Sequence, residues 1–300
     1  MVGRVSPYLK PLDRTIILGV AVSLLTLSII GWLVIGQFVL VFVIVVIAVL
    51  LLALQLVAFR RLDLRLYNGE RAYLQTEALF SLFSVVQLRY PLPPMRGWAI
   101  SPDFANVIVS LIQERKPKLV VEASSGISTI ITAYCLEALG EGRVISLEHD
   151  AHFAALSTSL IHKHGLNAQA QVIHAPLKRV SIGCKSWQWY DLVSLPTIQS
   201  IDMLIVDGPP ADGHEITRYP ALPILFDQLS SDAVVLLDDA NRPEEKSHVT
   251  AWLTAYREFD VEEVPTEKGA VILRRHPQRR HVESVRYVGE QEMVERVWNS

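Results

Sequence analysis

Acidic side chains recur in this chain where apolar runs end: Glu122, Glu148, Asp207 and the pair Asp238-Asp239. Between the first two lies Ala123-Ser124-Ser125-Gly126, a stretch of small residues, followed by Ile127-Ser128-Thr129. Small residues let a ligand approach the backbone closely, and a helix starting beyond them presents free N–H groups. Glu148 stands 22 residues past Gly126, near the ~20-residue interval at which a carboxylate meets ribose hydroxyls in nucleotide-binding α/β units. The fingerprint G-x-G-x-x-G is missing, because Gly126 is the only glycine of the stretch. A pyrophosphate cradle and a nicotinamide-dependent oxidoreductase are thereby disfavoured, and a nucleoside without phosphates fits. Asp207 could act as a general base or ligate a divalent ion. With Asp238 and Asp239 at a neighbouring strand end, three carboxylates could converge, and such hard oxygen ligands suit magnesium or manganese. The plainer reading is that Asp238 or Asp239 caps a helix or holds a loop.

These residues need an α/β frame to bring them together. Residues 119–122 form an apolar run, as expected of a strand buried on both faces of a parallel sheet. Residues 127–139 carry apolar side chains at helical spacing, and Gly140 and Gly142 stop that helix. Residues 143–147 give the second strand, with Glu148 at its carboxyl end. Asp150 can cap a helix reaching Lys163, closed by His164-Gly165. Residues 170–173 give a third strand ending at His174-Ala175, residues 202–206 a fourth ending at Asp207, and residues 233–237 a fifth ending at Asp238-Asp239. A helix over residues 243–258 and two strands at 261–264 and 270–273 complete the set. Ser101-Pro102 reads as the start of an earlier helix reaching Gln113, with serine as cap. Residues 186–191 (SWQWYD) concentrate three aromatics, which fit packing over the sheet better than stacking on a ligand.

The pattern E-x-x-x-G-x-S-T at 122–129, a second strand ending in Glu148, and Val206-Asp207-Gly208-Pro209-Pro210 together resemble class I S-adenosylmethionine-dependent methyltransferases. They are most similar to the subgroup whose fourth strand ends in V-D-G-P-P. The resemblance covers roughly residues 93–274. It implies a Rossmann-like seven-stranded sheet with helices on both faces, closed by an antiparallel hairpin. It also implies S-adenosylmethionine held by Glu122, Ser124, Ser125, Gly126, Ser128, Glu148, His149, His174 and Ala175, with Asp207 catalytic. Metal-dependent members of the superfamily place acids after the fourth and fifth strands, so Asp207, Asp238 and Asp239 become candidate ligands for an ion such as Mg. The family usually has glycine where this chain has Ser124. Its default acceptor is an oxygen on a small molecule or sugar, since the N-P-P-Y-type motif of nitrogen methylation is absent after the fourth strand.

Half of the 300 residues are hydrophobic, and they are unevenly spread. Residues 15–59 hold no charged side chain. As one helix these 45 residues would measure ~68 Å, over twice the ~30 Å hydrocarbon core. Two transmembrane helices, about 15–35 and 38–59, turning near residues 31–37, fit that thickness better. Arg4, Lys10 and Arg14 precede the run and Arg60, Arg61 and Arg65 follow it, so a hairpin would keep both ends cytoplasmic. The organisation expected is therefore a membrane anchor over 1–61, a connecting helix and Pro-rich segment over 62–100, the α/β domain over 101–275 and a polar basic tail over 276–300. An anchor of this kind suggests a lipid-linked or hydrophobic acceptor near the membrane. The net charge of −3 argues against a general nucleic-acid binder. Cys135 and Cys184, the only cysteines, match no metal spacing and read as reduced thiols. A reading from another class is a membrane-tethered module that binds a nucleoside without catalysis.

Overall fold

The computed structural model describes residues 11–195, 198, 200–210 and 218–276. The chain divides into two units, Met1–Glu70 and Arg71–Ser300. Arg4, Lys10, Arg279, Arg280 and the basic tail lie outside the described residues.

A single helix, α1 (Pro11–Val85), carries the whole apolar run without interruption. This corrects the two-helix hairpin. Gly31 and Gly36 are isolated from each other in the run, and an isolated glycine costs only about 1 kcal/mol against alanine. No proline occurs between Pro11 and Pro91 to end the helix. Expecting both ends on one membrane face falls with the hairpin, because an unbroken helix does not return. The connecting segment is likewise no separate helix: its helical part is the last stretch of α1. There Leu82 and Val86, just past the helix end, are buried, while Phe83 is half exposed.

In the second unit, seven strands form one sheet in the order β3-β2-β1-β6-β7-β9-β8. β1 (Leu119–Ala123), β2 (Arg143–Glu148), β3 (Ala170–His174), β6 (Ile201–Val206) and β7 (Leu229–Asp238) run parallel. β8 (Phe259–Val264) and β9 (Ala270–Arg275) form the closing hairpin, with β9 antiparallel to β7. The expected Rossmann-like seven-stranded arrangement is thus observed. Alternate strand residues feed two cores. Val120, Val144, Met203 and Val234 face α2 (Pro102–Arg115), α3 (Ile127–Leu139) and α4 (Ala151–His164). Val121, Ile145, Leu204 and Val235 face α5 (Ala221–Leu225) and α6 (Pro243–Ala255). Helix α6 stops three residues short of the expected end. Asp150 caps α4 as expected, accepting from the N–H groups of His152 and Phe153. Ser101 stands at the cap position of α2, but its buried hydroxyl bonds to nothing; the Gln75 side chain accepts from Asp103 N instead.

One element was not expected. β4 (Leu177–Ile182) and β5 (Lys185–Tyr190) pair as a separate two-stranded hairpin. Trp189 and Tyr190 are fully buried in the second core, as the packing reading of the aromatic cluster anticipated.

An unbroken α1 fixes a distance. Spin labels at Leu24→Cys and Val45→Cys, in a Cys184→Ser background, should sit about 32 Å apart by pulsed electron resonance, from ~1.5 Å per residue. A separation well under half of that would restore the hairpin.

Candidate functional site

Because β1, β2, β6 and β7 run parallel, their carboxyl ends open on one edge of the sheet, where ligands of such sheets bind. Glu122 lies in β1 with its side chain wholly buried. The hydroxyls of Thr129 (2.7 Å) and Ser146 (2.8 Å) donate to its Oε2, and Oε1 has no partner. Burial pushes its pKa up to about 7, although neighbouring hydroxyls, Ser128 among them, pull the other way. Thr129 Oγ1 also accepts from Gly126 N, which ties this carboxyl to the loop.

The loop holds two strained positions. Ser124 has φ +133 and Gly126 φ +148, a region that favours glycine. Ser124 therefore holds a backbone shape that glycine takes freely, at a cost of ~1–3 kcal/mol. Gly208, following Asp207, is closely enclosed. A Cβ there would meet Tyr190 Oη at 2.7 Å, Ser124 Cβ at 3.0 Å and Ala123 O at 3.1 Å. Over Gly126 the reverse holds: a Cβ would meet nothing within 4 Å.

Glu148 ends β2, almost buried, against this loop. The Ser125 hydroxyl lies 3.0 Å from its Oε2 and 2.8 Å from Ser157 Oγ, and Asp150 N donates to its Oε1. His149 Nδ1 sits 3.0 Å from Oε1 without forming a hydrogen bond. His174 pairs in register with Glu148 but its side chain is exposed, while Ala175 is buried and its N–H donates to Glu148 O. Ser128 is buried at the start of α3. Glu122, Ser124, Ser125, Gly126, Ser128 and Glu148 thus come together. His149 and Ala175 adjoin them, and the His174 side chain does not join.

Two residues of this region escaped the sequence reading. Tyr190 brings its hydroxyl to Gly208, and burial, with Glu148 and Asp207 nearby, raises its pKa well above the usual tyrosine range. The larger omission is Arg218, which is buried. Its Nη2 donates to Asp207 O (2.9 Å) and Asp239 Oδ2 (2.7 Å), with Asp207 Oδ1 at 3.4 Å. Its Nη1 donates to Asp238 O (2.9 Å), and its Nε lies 3.6 Å from Glu245 Oε1. Burial works against its charge, but Asp207, Glu245 and Asp239 outweigh that and raise its pKa.

Asp207, Asp238 and Asp239 do converge, then, but on a guanidinium. Among the described residues no group of three or more His, Cys, Asp or Glu is arranged to hold a metal. The expected ion does not fit this arrangement. Neither aspartate caps α6, whose cap position is Arg242. Asp239 adopts φ +60, and Asp238 Oδ1 accepts from Asp239 N. Burial raises the pKa of both Asp207 and Asp238; Arg218 opposes this at Asp207, while Asp207 and Asp239 reinforce it at Asp238.

Glu122 supplies a pH test. Its folded pKa of about 7 exceeds the 4.5 of the free group, so folding favours the protonated form. Its contribution is full below 4.5 and is lost as pH rises through about 7, by about 3 kcal/mol in all. Melting temperature should fall between pH 5 and 8 more steeply for the wild type than for Glu122→Gln. Parallel curves would refute a buried, proton-holding Glu122.

Comparison with known proteins follows this geometry. Residues 123–240 match the family model described as a methyltransferase domain. A sequence search of curated proteins finds no match. Among solved structures, a methyltransferase from Geobacter sulfurreducens aligns at TM-score 0.47 and 17% identity, over 68% of this chain and 94% of that one. An SAH-bound methyltransferase of Podospora anserina aligns at 0.49 and 17%, over 70% and 95%. An O-methyltransferase from Bacillus cereus in complex with SAH aligns at 0.47 and 16%, over 69% and 97%. The segment that matches the methyltransferase family begins at the last residue of β1 and ends two residues past β7, so it contains the loop, Glu148, Asp207, Arg218 and the Asp238-Asp239 pair.

Proposed function

We propose that this protein is an S-adenosylmethionine-dependent methyltransferase of the V-D-G-P-P subgroup that methylates oxygen on a small molecule, sugar or lipid-linked acceptor, and that its apolar helix anchors it in a membrane. The observation that carries the reading is the placement of Glu148. A carboxylate at the end of β2 lies against a loop whose backbone is open above Gly126. Such a pair suits a nucleoside, with the ribose hydroxyls on Glu148 and no phosphate cradle. The partnerless Oε1 of Glu122 suits a cationic amino group at the other end of the ligand. When bound, S-adenosylmethionine supplies a methyl group on a sulfonium, an electrophile that oxygen attacks in line.

This chain's residues do the rest. Ser124, Ser125, Gly126, Ser128, Glu122 and Glu148 position the cofactor, with His149 and Ala175 beside them. The enzyme's main task is alignment of nucleophile and methyl, a proximity effect. Asp207 follows β6 at the same edge, nearly buried, and burial moves its pKa toward the working pH. It takes the acceptor's hydroxyl proton as general base, worth about 10²–10⁴-fold. Tyr190 and Gly208 shape the wall between Asp207 and the loop.

The anchoring rests on exposure. Ile16, Ile17, Leu18 and Ile30, on different faces of α1, all lie open. A helix apolar all round needs an apolar surrounding, and a bilayer supplies one.

Calorimetry with S-adenosylmethionine and SAH tests the cofactor. The wild type should bind both, and Glu148→Ala should lose at least tenfold in affinity, about 1.4 kcal/mol. Asp207→Asn should keep binding yet lose transfer of labelled methyl into a membrane extract. A wild type that binds neither compound refutes the function. For the anchor, the protein should stay in the membrane fraction through an alkaline carbonate wash; release into the wash would remove that half of the proposal.

A further inference from the structure

Most oxygens that a metal would claim in the acidic cluster already face a cation or an N–H group. Asp239 Oδ2 accepts from Arg218 at 2.7 Å and lies 3.1 Å from Arg242 Nη2. Asp239 Oδ1 and Asp238 Oδ2 both stand 3.9 Å from Lys268 Nζ. Asp238 Oδ1 takes Asp239 N, and the carbonyls of Asp207 and Asp238 take the two terminal nitrogens of Arg218. Magnesium demands near-octahedral oxygen ligation at ~2.0–2.1 Å. A guanidinium planted among those oxygens removes the room and repels the charge.

We propose that Arg218 is the resident cation of this site, standing where a divalent ion would bridge Asp207 and Asp239, so that the reaction proposed above runs without metal. This rests on the proposed methyl transfer only for its last clause; the occupancy itself concerns the folded protein alone. Three features favour a built position over a chance ion pair. Arg218 is buried, it draws on β6, β7 and α6 at once, and it uses all three of its nitrogens. Its planar fork can satisfy several acceptors in fixed directions, which an ammonium or a water-shelled ion does differently. Glu245 is held in turn by His248 Nδ1 at 2.9 Å, so the guanidinium's far side is also fixed.

The experiment is a Mn2+ titration of the full-length protein in detergent, read by melting temperature and by the paramagnetic signal of free Mn2+. The wild type should bind no Mn2+ and keep its melting temperature. Arg218→Ala should gain a Mn2+ site that raises its melting temperature, since a ligand of the folded form stabilises it. Adding Asp239→Asn to that variant should abolish the gain. Should Arg218→Ala not fold, Arg218→Gln keeps a polar, uncharged donor there and carries the same expectation. Mn2+ bound by the wild type and lost on Asp239→Asn overturns the proposal. So does a folded Arg218 variant that binds none. Neither readout requires turnover or cofactor, so failure of the methyltransferase reading would show in calorimetry and leave this result to stand apart. Where transfer is measured, exhaustive chelation should leave its rate unchanged.

Discussion

Carboxyl groups out of water are the constraint around which this site is arranged. A parallel sheet sends the ends of β1, β2, β6 and β7 to one edge, and this chain puts an acid at each. A buried carboxylate is costly unless it is paired, hydrogen-bonded or neutral. The four ends use different remedies. Glu122 is held by two hydroxyls and drawn toward its protonated form. Glu148 takes Ser125 and a backbone N–H. The Asp239 carboxylate accepts from Arg218, with Asp207 Oδ1 3.4 Å from the same nitrogen, and Asp238 is pushed toward the neutral acid by burial and by those two charges. The consequence is functional. The acids on the β1–β2 side are satisfied by weak neutral donors, which a ligand can replace. On the β6–β7 side a fixed charge holds Asp239 closely and stands 3.4 Å from Asp207.

Backbone shape divides the edge in the same way. On the β1–β2 side, Ser124 and Gly126 adopt positive φ and leave open space above Gly126. Between the sides, Gly208 sits so close to Ala123, Ser124 and Tyr190 that any side chain would force the two loops apart. Gly208 therefore sets the spacing between the loop and Asp207. Tyr190 reaches this point because Trp189 and Tyr190 anchor β5 in the core, so an aromatic pair that reads as packing also fixes one wall of the site.

The sheet was legible in the sequence because strands buried on both faces leave apolar runs, and an acid marks the end of four of the five parallel ones. The loop was legible too, from small residues at one spacing. Other parts were not. The hairpin of β4 and β5 left one signal, Gly183-Cys184 between two alternating stretches, with Gly183 at φ +57. The unbroken length of α1 was not legible, because the thickness of a bilayer favours a turn that two lone glycines do not make. Arg218 was invisible for a deeper reason. It follows Asp207 by eleven residues and precedes Tyr219-Pro220 in no pattern that announces a partner. Three acids gathered at neighbouring strand ends do pose the question of a counter-charge, and a metal was the answer that their placement and the family resemblance suggested. Only the closed fold shows that the chain brings its own.

A lysine in place of Arg218 would not do the same work. Its ammonium could sit near Asp207 and Asp239, but it could not at once reach the carbonyl of Asp238 and face Glu245 from the opposite side. The geometry needs donors spread over a plane, with the charge delocalised so that no single acceptor takes all of it. The surroundings support that plane. Trp252 Nε1 holds the carbonyl of Tyr219, next in the chain, and Trp187 stacks on the Tyr219 ring at 4.6 Å. His248 lies against both rings while bonding Glu245. An aromatic clamp thus fixes the residue after Arg218, and a histidine fixes its acidic partner. A charge held so firmly would lose little by reorganising when an acceptor arrives, which is what electrostatic preorganisation requires of a group beside a developing charge.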